Sequence, residues 1–322
     1  MDIAPKTWWL KIRMWLLVTV LFGIIYALVA AVSYILGISS FIFYGLIAVG
    51  FITLQYMIGP YIVQWSMKVK YVTEKEEPEL HALVEKLAKK AGIPKPKVGI
   101  SDVPVPNAFA FGRWKSDGRV CVTKGLLDLL SKKELEAVLG HELSHLKHRD
   151  VAIITLISVI PMIAWFVARS TLFAHSDRKG SAVIIGIFAF VLYFITNLLV
   201  LYGSRIREYY ADMGAVSLGS EPHYLASALY KLVYGAAKAS PQSLKQVEGM
   251  KAFFANDISR AHDDIRQIAD LDLDKSGHID VDELEAMKSK HIKLRTVDKL
   301  MEVLSTHPNM LKRIKALSVL TK

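Results

Sequence analysis

The longest stretch without a charged side chain spans residues 14–67, and it restricts the fold more than any other feature of the chain. With a rise of about 1.5 Å per residue, a helix of this length greatly exceeds the ~30 Å hydrocarbon core of a bilayer. Gly37, Ser39 and Ser40 lie near the middle of the stretch and are typical of a turn. The stretch therefore predicts a hairpin of two transmembrane helices.

Two further uncharged stretches follow at residues 151–168 and 181–204. Each is close to the ~20 residues that one transmembrane helix needs, which brings the predicted total to four. Pro161 and Arg169 interrupt the third of these helices. A cleaved secretory signal is the alternative for the first helix. However, signal cores span only ~7–15 residues, and this stretch continues directly into a second span.

The distribution of basic residues predicts the orientation in the membrane. Two hairpins return the chain to its starting side, so the N-terminus, residues 68–150 and residues 205–322 are expected on one side. Basic residues flank the predicted helices there: Lys6, Lys11, Arg13, Lys68, Lys70, Arg149, Arg205 and Arg207. The positive-inside rule makes this side cytoplasmic in a multi-pass protein of the cell membrane. Arg178 and Lys179 in the opposite loop are a weaker, contrary signal.

The formal charge of the chain is +10. In a protein with several apolar segments, this charge indicates attraction to anionic lipid headgroups rather than to nucleic acid, and no nucleic-acid-binding motif is found. Cys121 is the only cysteine, so no internal disulfide can form, as suits a reducing cytosol. Membrane lipids are therefore the first predicted partner.

The polar segments predict two helices and three strands. Apolar residues at helical spacing predict a helix over 76–91, which ends at Gly92. Ser131 and Glu134 have the spacing of a capping box and begin a second helix, which runs up to the third transmembrane segment. Between the helices, three short strands are expected to form a small antiparallel sheet, at 97–101, 107–111 and 119–123.

His141, Glu142 and His145 form an HExxH pattern on the second predicted helix. Residues i and i+4 lie one above the other on a helix face, so both imidazoles can bind one zinc ion at ~2.0–2.1 Å. Glu142 projects from a neighbouring position, from which its carboxylate can reach a water molecule instead of the metal. The pattern predicts a zinc site with a general base. The alternative is a charged amphipathic helix at the membrane surface.

A catalytic zinc site needs a third protein ligand and one open position. Glu208 is the predicted ligand, because it closely follows the fourth transmembrane helix and the HExxH helix ends just before the third. Short helix extensions at the same membrane face can meet. Asp212 lies four residues further on the same helix face, and it is predicted to accept a hydrogen bond from a ligand imidazole. The alternative is that Glu208 only pairs with a neighbouring arginine.

Several segments together resemble the HtpX family of membrane-integrated zinc peptidases, which are relatives of the CAAX prenyl proteases. The matching segments are Pro106-Asn107-Ala108-Phe109-Ala110, residues 140–150 (GHELSHLKHRD), residues 204–212, Ser305-Thr306-His307-Pro308 and Arg313-Ile314. The likeness extends over almost the whole chain and includes both hydrophobic hairpins. It implies cytosolic proteolysis of misfolded membrane proteins as quality control.

Asn107 and Ala108 are similar to the substrate-binding segment of zinc proteases whose third ligand is a glutamate. Such enzymes hold the substrate as an added strand at a sheet edge near the metal. The amide of Asn107 can both donate to and accept from a peptide backbone. An ordinary turn asparagine after Pro106 is the alternative. By resemblance, His307 is expected close to the site, where it donates a hydrogen bond to the reacting carbonyl oxygen.

These observations predict a mainly α-helical membrane protein with a small β-sheet, four transmembrane helices and a zincin-like (gluzincin) cytosolic catalytic domain. Residues 1–67 and 151–204 are the two hairpins, 68–150 and 205–322 are the two parts of the catalytic domain, and about 256–292 is an insertion. The predicted activity is that of a zinc endopeptidase, with one Zn²⁺ per chain, which cleaves unfolded or misfolded membrane proteins. The alternatives are a CAAX-type prenyl protease and a non-catalytic, calcium-sensing membrane scaffold with a structural zinc.

The predicted insertion contains a sequence that fits the 12-residue calcium loop of an EF-hand. The ligand positions 1, 3, 5, 7, 9 and 12 of such a loop are occupied by Asp272, Asp274, Ser276, His278 (through its backbone carbonyl), Asp280 and Glu283. Gly277 is at position 6, where the loop must turn sharply. An acidic loop between two surface helices is the alternative. Because EF-hands usually pair and one such loop is found, the sequence predicts weak Ca²⁺ binding.

Overall fold

The structure is a computed structural model, and it describes residues 16, 20, 41–172, 179–240, 242–243, 261–290, 292 and 294–321. Almost all of the predicted first transmembrane helix lies outside the described residues, as do the turn at residues 37–40 and residues 256–260 of the predicted insertion.

The described part of the chain is mainly helical and contains one small sheet, as predicted. Its elements follow one another in this order: α1 (Phe41–Ser66), β1 (Val69–Tyr71), α2 (Pro78–Ala91), β2 (Lys97–Ser101), β3 (Ala108–Phe111), β4 (Arg119–Thr123), α3 (Lys124–Leu129), α4 (Lys132–His148), α5 (Asp150–Leu172), α6 (Lys179–Ser217), α7 (Pro222–Lys238), α8 (Ala261–Ile268), α9 (Val281–Ala286), α10 (Thr296–Val303) and α11 (Met310–Ser318). The chain divides into two compact units. The first comprises Met1–Ile58 and Ala152–Ile206, and the second Gly59–Val151 and Arg207–Lys322.

The described part of the first unit consists of apolar helical segments from α1, α5 and α6. Among the described residues, Val183–Ser217 of α6 is the one segment that is long and apolar enough to cross a membrane, judged by length and composition. Many of its side chains are aliphatic or aromatic and exposed: Val183, Ile184, Ile187, Phe188, Phe190, Val191, Phe194 and Ile195. α6 then continues without a break as far as Ser217.

The second unit contains a four-stranded sheet in the order β1-β2-β4-β3. β1 pairs antiparallel with β2, and β3 pairs antiparallel with β4. The pair β2–β4 is parallel, so the prediction of an all-antiparallel sheet is wrong at this position. The reason is that β3 lies at the edge of this four-stranded sheet, in which it pairs only with β4. β2 therefore pairs with β4 instead of with β3, and it runs in the same direction as β4. At three residues, β1 is too short for alternation to predict it.

Buried apolar side chains from α2, α4, α7 and the sheet form the main core of the second unit. Ser131 and Glu134 make the predicted capping box at the start of α4. Glu134 also accepts hydrogen bonds from Ser227 (2.5 Å) and Lys231 (2.9 Å) of α7, which fix α7 against α4. α4 ends at Arg149, whose left-handed φ of 58° separates it from α5.

The described part of the predicted insertion packs into this same core. Leu271, Ile279 and Leu284 are buried and belong to one apolar cluster with residues of α4 and α7. Tyr230 of α7 donates a hydrogen bond of 3.0 Å to Asp272, at the start of the acidic loop. Residues 261–287 are therefore an integral part of the core of the second unit.

Candidate active site

α4 places His141 and His145 one helical turn apart, with their Nε2 atoms separated by 3.2 Å. α6 approaches this part of α4 closely, because Gly214 has no side chain. A Cβ atom at position 214 would lie 2.0 Å from Oγ and 2.6 Å from Cβ of Ser144. The close approach of the two helices brings Glu208 of α6 to the two imidazoles.

Glu208 completes a group of three potential metal ligands with the two histidines. Its Oε2 atom lies 3.6 Å from His141 Nε2, and its Oε1 atom lies 3.5 Å from His145 Nε2. Ligand atoms at ~2.0–2.2 Å from one tetrahedral zinc ion are separated by roughly 3.3–3.5 Å. Two imidazoles and one carboxylate are also the ligand set of a common class of catalytic zinc site. The spacing and chemistry of this group therefore fit a zinc ion.

Asp212 and Arg313 support this group from one side. Asp212 Oδ1 lies 3.0 Å from Nδ1 of His141, the ring nitrogen that faces away from Glu208. Arg313 of α11 is fully buried and donates to both carboxylate oxygens of Asp212, at 3.0 Å from Nε and 2.7 Å from Nη2. Its Nη1 atom lies 3.0 Å from Glu208 Oε2. Burial lowers the pKa of Arg313, but the two carboxylates outweigh this effect and raise it, so the guanidinium stays charged.

Asp150 and Arg207 support the group from the other side, and neither residue is predicted from the sequence to belong to the site. Asp150 Oδ2 lies 2.6 Å from Nδ1 of His145. Arg207 forms an ion pair with Asp150 through Nη2 and donates to the carbonyl oxygen of His148 at 3.3 Å. From its position after the fourth predicted span, Arg207 is expected to be a cation at the membrane surface, but its side chain is buried.

Glu142 is buried beside the two histidines. Burial raises the pKa of its carboxyl above the ordinary value, while the imidazoles of His141 and His145 oppose this shift. A raised pKa makes the ionised carboxylate a stronger base, which suits a general base.

His307 lies in the turn between α10 and α11 and reaches the same group. Its Nδ1 atom is 3.4 Å from Glu208 Oε2. The ring is buried, and neither of its nitrogens makes a hydrogen bond within the described part of the chain. Asn309 then caps α11 by accepting from the backbone N–H of Leu311 at 3.0 Å, which fixes the end of the turn.

Asn107 and Ala108 lie at the start of β3, the strand at one edge of the four-stranded sheet. The backbone N–H of Asn107 donates to Thr123 Oγ1, and its carbonyl accepts from the backbone N–H of Thr123, both at 2.9 Å. Ala108 pairs with Val122 of β4. β3 packs against α4, which carries the histidines. The edge strand and the metal-ligand group thus belong to adjacent elements.

The acidic loop contains a second group, in which carboxylate oxygens of Asp272, Asp274 and Glu283 lie within 4.8 Å of one another. Gly277 has the expected left-handed φ of 83°. Asp272 accepts from the backbone N–H groups of Ser276 and Gly277, both at 2.9 Å.

Other predicted ligands of this loop already have local hydrogen-bond partners. Asp280 and Glu283 form a capping box at the start of α9. Glu283 accepts from the backbone N–H of Leu273 at 2.5 Å and from that of Asp280 at 3.1 Å. The carbonyl of His278 accepts from Ser276 Oγ at 3.3 Å.

Comparison with known proteins shows to which family the chain is related. Residues 74–321 match peptidase family M48. A protease HtpX homolog from Methanothermobacter thermautotrophicus is 55% identical over 228 residues, which cover 71% of this chain and 87% of that protein. Protease HtpX homologs from Pyrococcus abyssi and Thermoplasma volcanium are 42% and 36% identical, over 68% and 83% of this chain and 78% and 79% of theirs.

The fold resembles the crystal structure of S. mikatae Ste24p, with a TM-score of 0.52 at 17% sequence identity. The likeness covers 97% of this chain and 66% of the Ste24p chain. At this level of identity it concerns the fold alone. The sequence matches carry the assignment: the chain belongs to peptidase family M48, and it is a membrane metalloprotease similar to HtpX.

Proposed function

We propose that this metalloprotease cleaves misfolded or damaged membrane proteins at the cytosolic face of the cell membrane, as part of protein quality control. The observation that carries the proposal is the group of buried His141, part-buried His145 and buried Glu208, with the buried Glu142 beside it. Glu208 lies on the same helix as the apolar segment that begins at residue 183. Because one helix carries both the apolar segment and Glu208, the protease is suited to substrates that leave the bilayer in an unfolded state.

In this proposal, His141 and His145 would hold one Zn²⁺ through their Nε2 atoms, and Glu208 would be the third protein ligand. When bound, the zinc ion polarises the scissile carbonyl group and lowers the pKa of water at the site towards ~7. Glu142 accepts a proton from that water and later delivers it to the leaving amide nitrogen. Peptide hydrolysis then proceeds without a covalent bond between substrate and protein.

His307 and Asp212 assist these groups. The free ring nitrogens of His307, within reach of Glu208, suit it to donate a hydrogen bond to the oxygen of the reacting carbonyl. Asp212 Oδ1 lies 3.0 Å from Nδ1 of His141, and in this proposal its carboxylate orients the imidazole so that Nε2 is directed toward the metal.

Substrate binding is proposed at the edge of the sheet. An extended peptide beside β3 can add a fifth strand to the sheet through backbone hydrogen bonds. Asn107 and Ala108 lie at the start of β3 and contribute to this binding in our proposal. Recognition of the backbone rather than of side chains suits an enzyme whose substrates share only their unfolded state.

We further propose that the chain crosses the membrane four times and has both polar segments in the cytoplasm. The support is the apolar segment Val183–Ser217 and the basic residues that flank the predicted spans. Anionic lipid headgroups are the expected partner of these basic residues, except for Arg207, which is buried beside Asp150. A reporter fused after Lys322 should resist protease that is added outside intact cells. Digestion of the reporter would contradict the predicted orientation.

The experiment that tests the proposed activity is cleavage of casein and of an unfolded membrane protein by detergent-purified enzyme. Chelation of zinc should abolish cleavage, and added Zn²⁺ should restore it. The exposed Glu79 provides a matched control for Glu142, because Glu79→Gln makes the same chemical change far from the metal-ligand group. Cleavage that persists after zinc is removed would overturn the proposal.

A CAAX-type prenyl protease is the second candidate, and the observation that favours it is the fold likeness to Ste24p. The two candidates use the same chemistry but differ in substrate. Comparison of kcat/KM for a prenylated CaaX peptide and for an unfolded membrane protein separates them. Faster cleavage of the prenylated peptide would replace our first proposal. A non-catalytic scaffold disagrees with membership of a peptidase family.

For the acidic loop at 272–283 we propose weak Ca²⁺ binding. The support is the EF-hand spacing, the group formed by Asp272, Asp274 and Glu283, and the turn at Gly277. Calcium must compete for the carboxylate oxygens of Glu283, which already accept hydrogen bonds from two backbone N–H groups. The expected affinity is therefore at the weak end of the EF-hand range, with a Kd of about 1 mM.

A further inference from the structure

We propose that Asp150 and Arg207 are positioning residues for His145. In this proposal, Asp150 fixes the tautomer and the ring orientation of the imidazole, and Arg207 holds the Asp150 carboxylate in place. The inference rests on the proposed zinc site, because it concerns how one ligand is presented to the metal.

The contact between Asp150 and His145 selects one tautomer. Asp150 Oδ2 lies 2.6 Å from Nδ1 of His145, so Nδ1 must carry the hydrogen and donate it to the carboxylate. Nε2 then has its lone pair available, and it points to Glu208 Oε1 at 3.5 Å and to His141 Nε2 at 3.2 Å. The carboxylate thus turns the ring into the form that a metal ligand requires.

Arg207 supplies the counter-charge that keeps Asp150 in this position. Asp150 and Arg207 are each 6% exposed, and a buried carboxylate without a partner is strongly unfavourable. Arg207 forms the ion pair with Asp150 and also donates to the carbonyl oxygen of His148, in the last turn of α4. Glu208 directly follows Arg207 in α6. The same short backbone segment therefore carries the arginine that holds Asp150 and the proposed third ligand.

A related arrangement, with a close contact in place of the hydrogen bond, occurs at the other imidazole. His141 Nδ1 contacts Asp212, and Asp212 is held by the guanidinium of Arg313. Each imidazole therefore has its own carboxylate and each carboxylate its own arginine, supplied by different parts of the chain. A purely structural ion pair need not contact the Nδ1 atom of a proposed metal ligand, but the carboxylates of both pairs do so here. Loss of such an outer partner typically weakens metal binding ~10–100-fold.

The test uses the purified full-length protein and two measurements, zinc affinity by competition with a chelator and the visible spectrum of the Co²⁺-loaded form. Asp150→Asn should weaken zinc binding about 10–100-fold and shift the Co²⁺ bands, because the ligand field at His145 changes. Arg207→Gln should have a similar effect alone but add little to Asp150→Asn, since it acts through Asp150. Asp102→Asn, at an exposed carboxylate on the surface, should change neither measurement.

The outcomes separate this inference from the proposed function. If His145→Ala binds zinc as tightly as the wild type, the proposed zinc site is wrong. If His145→Ala loses zinc but folded Asp150→Asn keeps both the wild-type affinity and the wild-type Co²⁺ spectrum, the positioning role alone is overturned. Should Asp150→Asn fail to fold, the same two measurements on Arg207→Gln decide, and wild-type values would again overturn the inference.

Discussion

The metal-ligand group and the acidic loop both gather carboxylates, but they do so in different ways. In the first, charged groups from α4, α5, α6 and α11 meet at one centre, and Asp150, Asp212 and Glu208 are each held by an arginine. In the second, all carboxylates come from residues 272–283 and are held largely by backbone N–H groups of the loop itself. The first geometry therefore depends on tertiary packing, and the second is mostly local.

This difference has consequences for metal binding. In the buried centre, the ligand atoms are already near the spacing of a zinc site, so little rearrangement is needed. In the loop, an ion must displace hydrogen bonds that cap α9 before Glu283 can bind it with both oxygens. We expect tight binding at the centre and weak binding at the loop.

The largest expected effect is on chemistry at the centre. Glu142→Gln should lower kcat/KM by about 10²–10⁴-fold, because the general base is lost. Zinc content should stay normal, since no proposed ligand changes. Steady-state cleavage of casein and metal analysis of the same sample provide the test, with Glu79→Gln as control. Substantial residual proteolysis would refute the role assigned to Glu142.

The next effect concerns the third ligand. Glu208→Ala should reduce zinc affinity as strongly as His145→Ala does, and by more than the ~10–100-fold typical of an outer-shell partner. Metal analysis after dialysis against a chelator measures the loss. Normal zinc content in Glu208→Ala would transfer the role of third ligand to Asp212 or His148.

A third variant tests whether tertiary packing controls the centre. In Gly214→Ala, the added methyl group would overlap Ser144, so α6 must move away from α4 and take Glu208 with it. A ligand or catalytic group displaced by ~1 Å can cost ~10²-fold, so activity should fall by about that factor. Gly59→Ala is the matched control, because its methyl group would meet no atom within 4 Å. Equal activity in the two variants would show that the close approach of the helices is unnecessary.

The smallest effect is expected at the acidic loop. Calcium at about 1 mM should slow hydrogen exchange in residues 261–290, because the ion crosslinks the loop between α8 and α9. The double variant Asp272→Ala/Glu283→Gln should lack this response. Identical exchange with and without calcium in the wild type would mean that the loop is purely structural.

Local patterns were enough to predict part of this protein. The i, i+4 spacing of His141 and His145 and the capping box at Ser131 depend only on helix geometry, and the structure contains both. The position of Glu208 near the histidines was predicted from the order of apolar segments, without knowledge of packing.

Other features depend on contacts that no local pattern encodes. Arg149 adopts a left-handed conformation between α4 and α5, and the carboxylate of Asp150 directly after it contacts His145. The parallel pairing of β2 with β4 depends on which strands become neighbours. Arg207 has the sequence signature of a cation at a membrane face, and its burial beside Asp150 follows from the approach of α6 to α4.

The order of the ligands along the chain has a consequence for biosynthesis. His145 and Glu208 are 63 positions apart (208 − 145 = 63), and the whole of α5 is made between them. A ribosome that has completed α4 has therefore produced the two histidines but not the third ligand. Arg313 is made later still, 105 positions after Glu208 (313 − 208 = 105). Under the proposed ligand set, a growing chain cannot assemble the centre until the apolar segments have been translated. A nascent copy is thus unable to digest its own apolar segments while they are still being made.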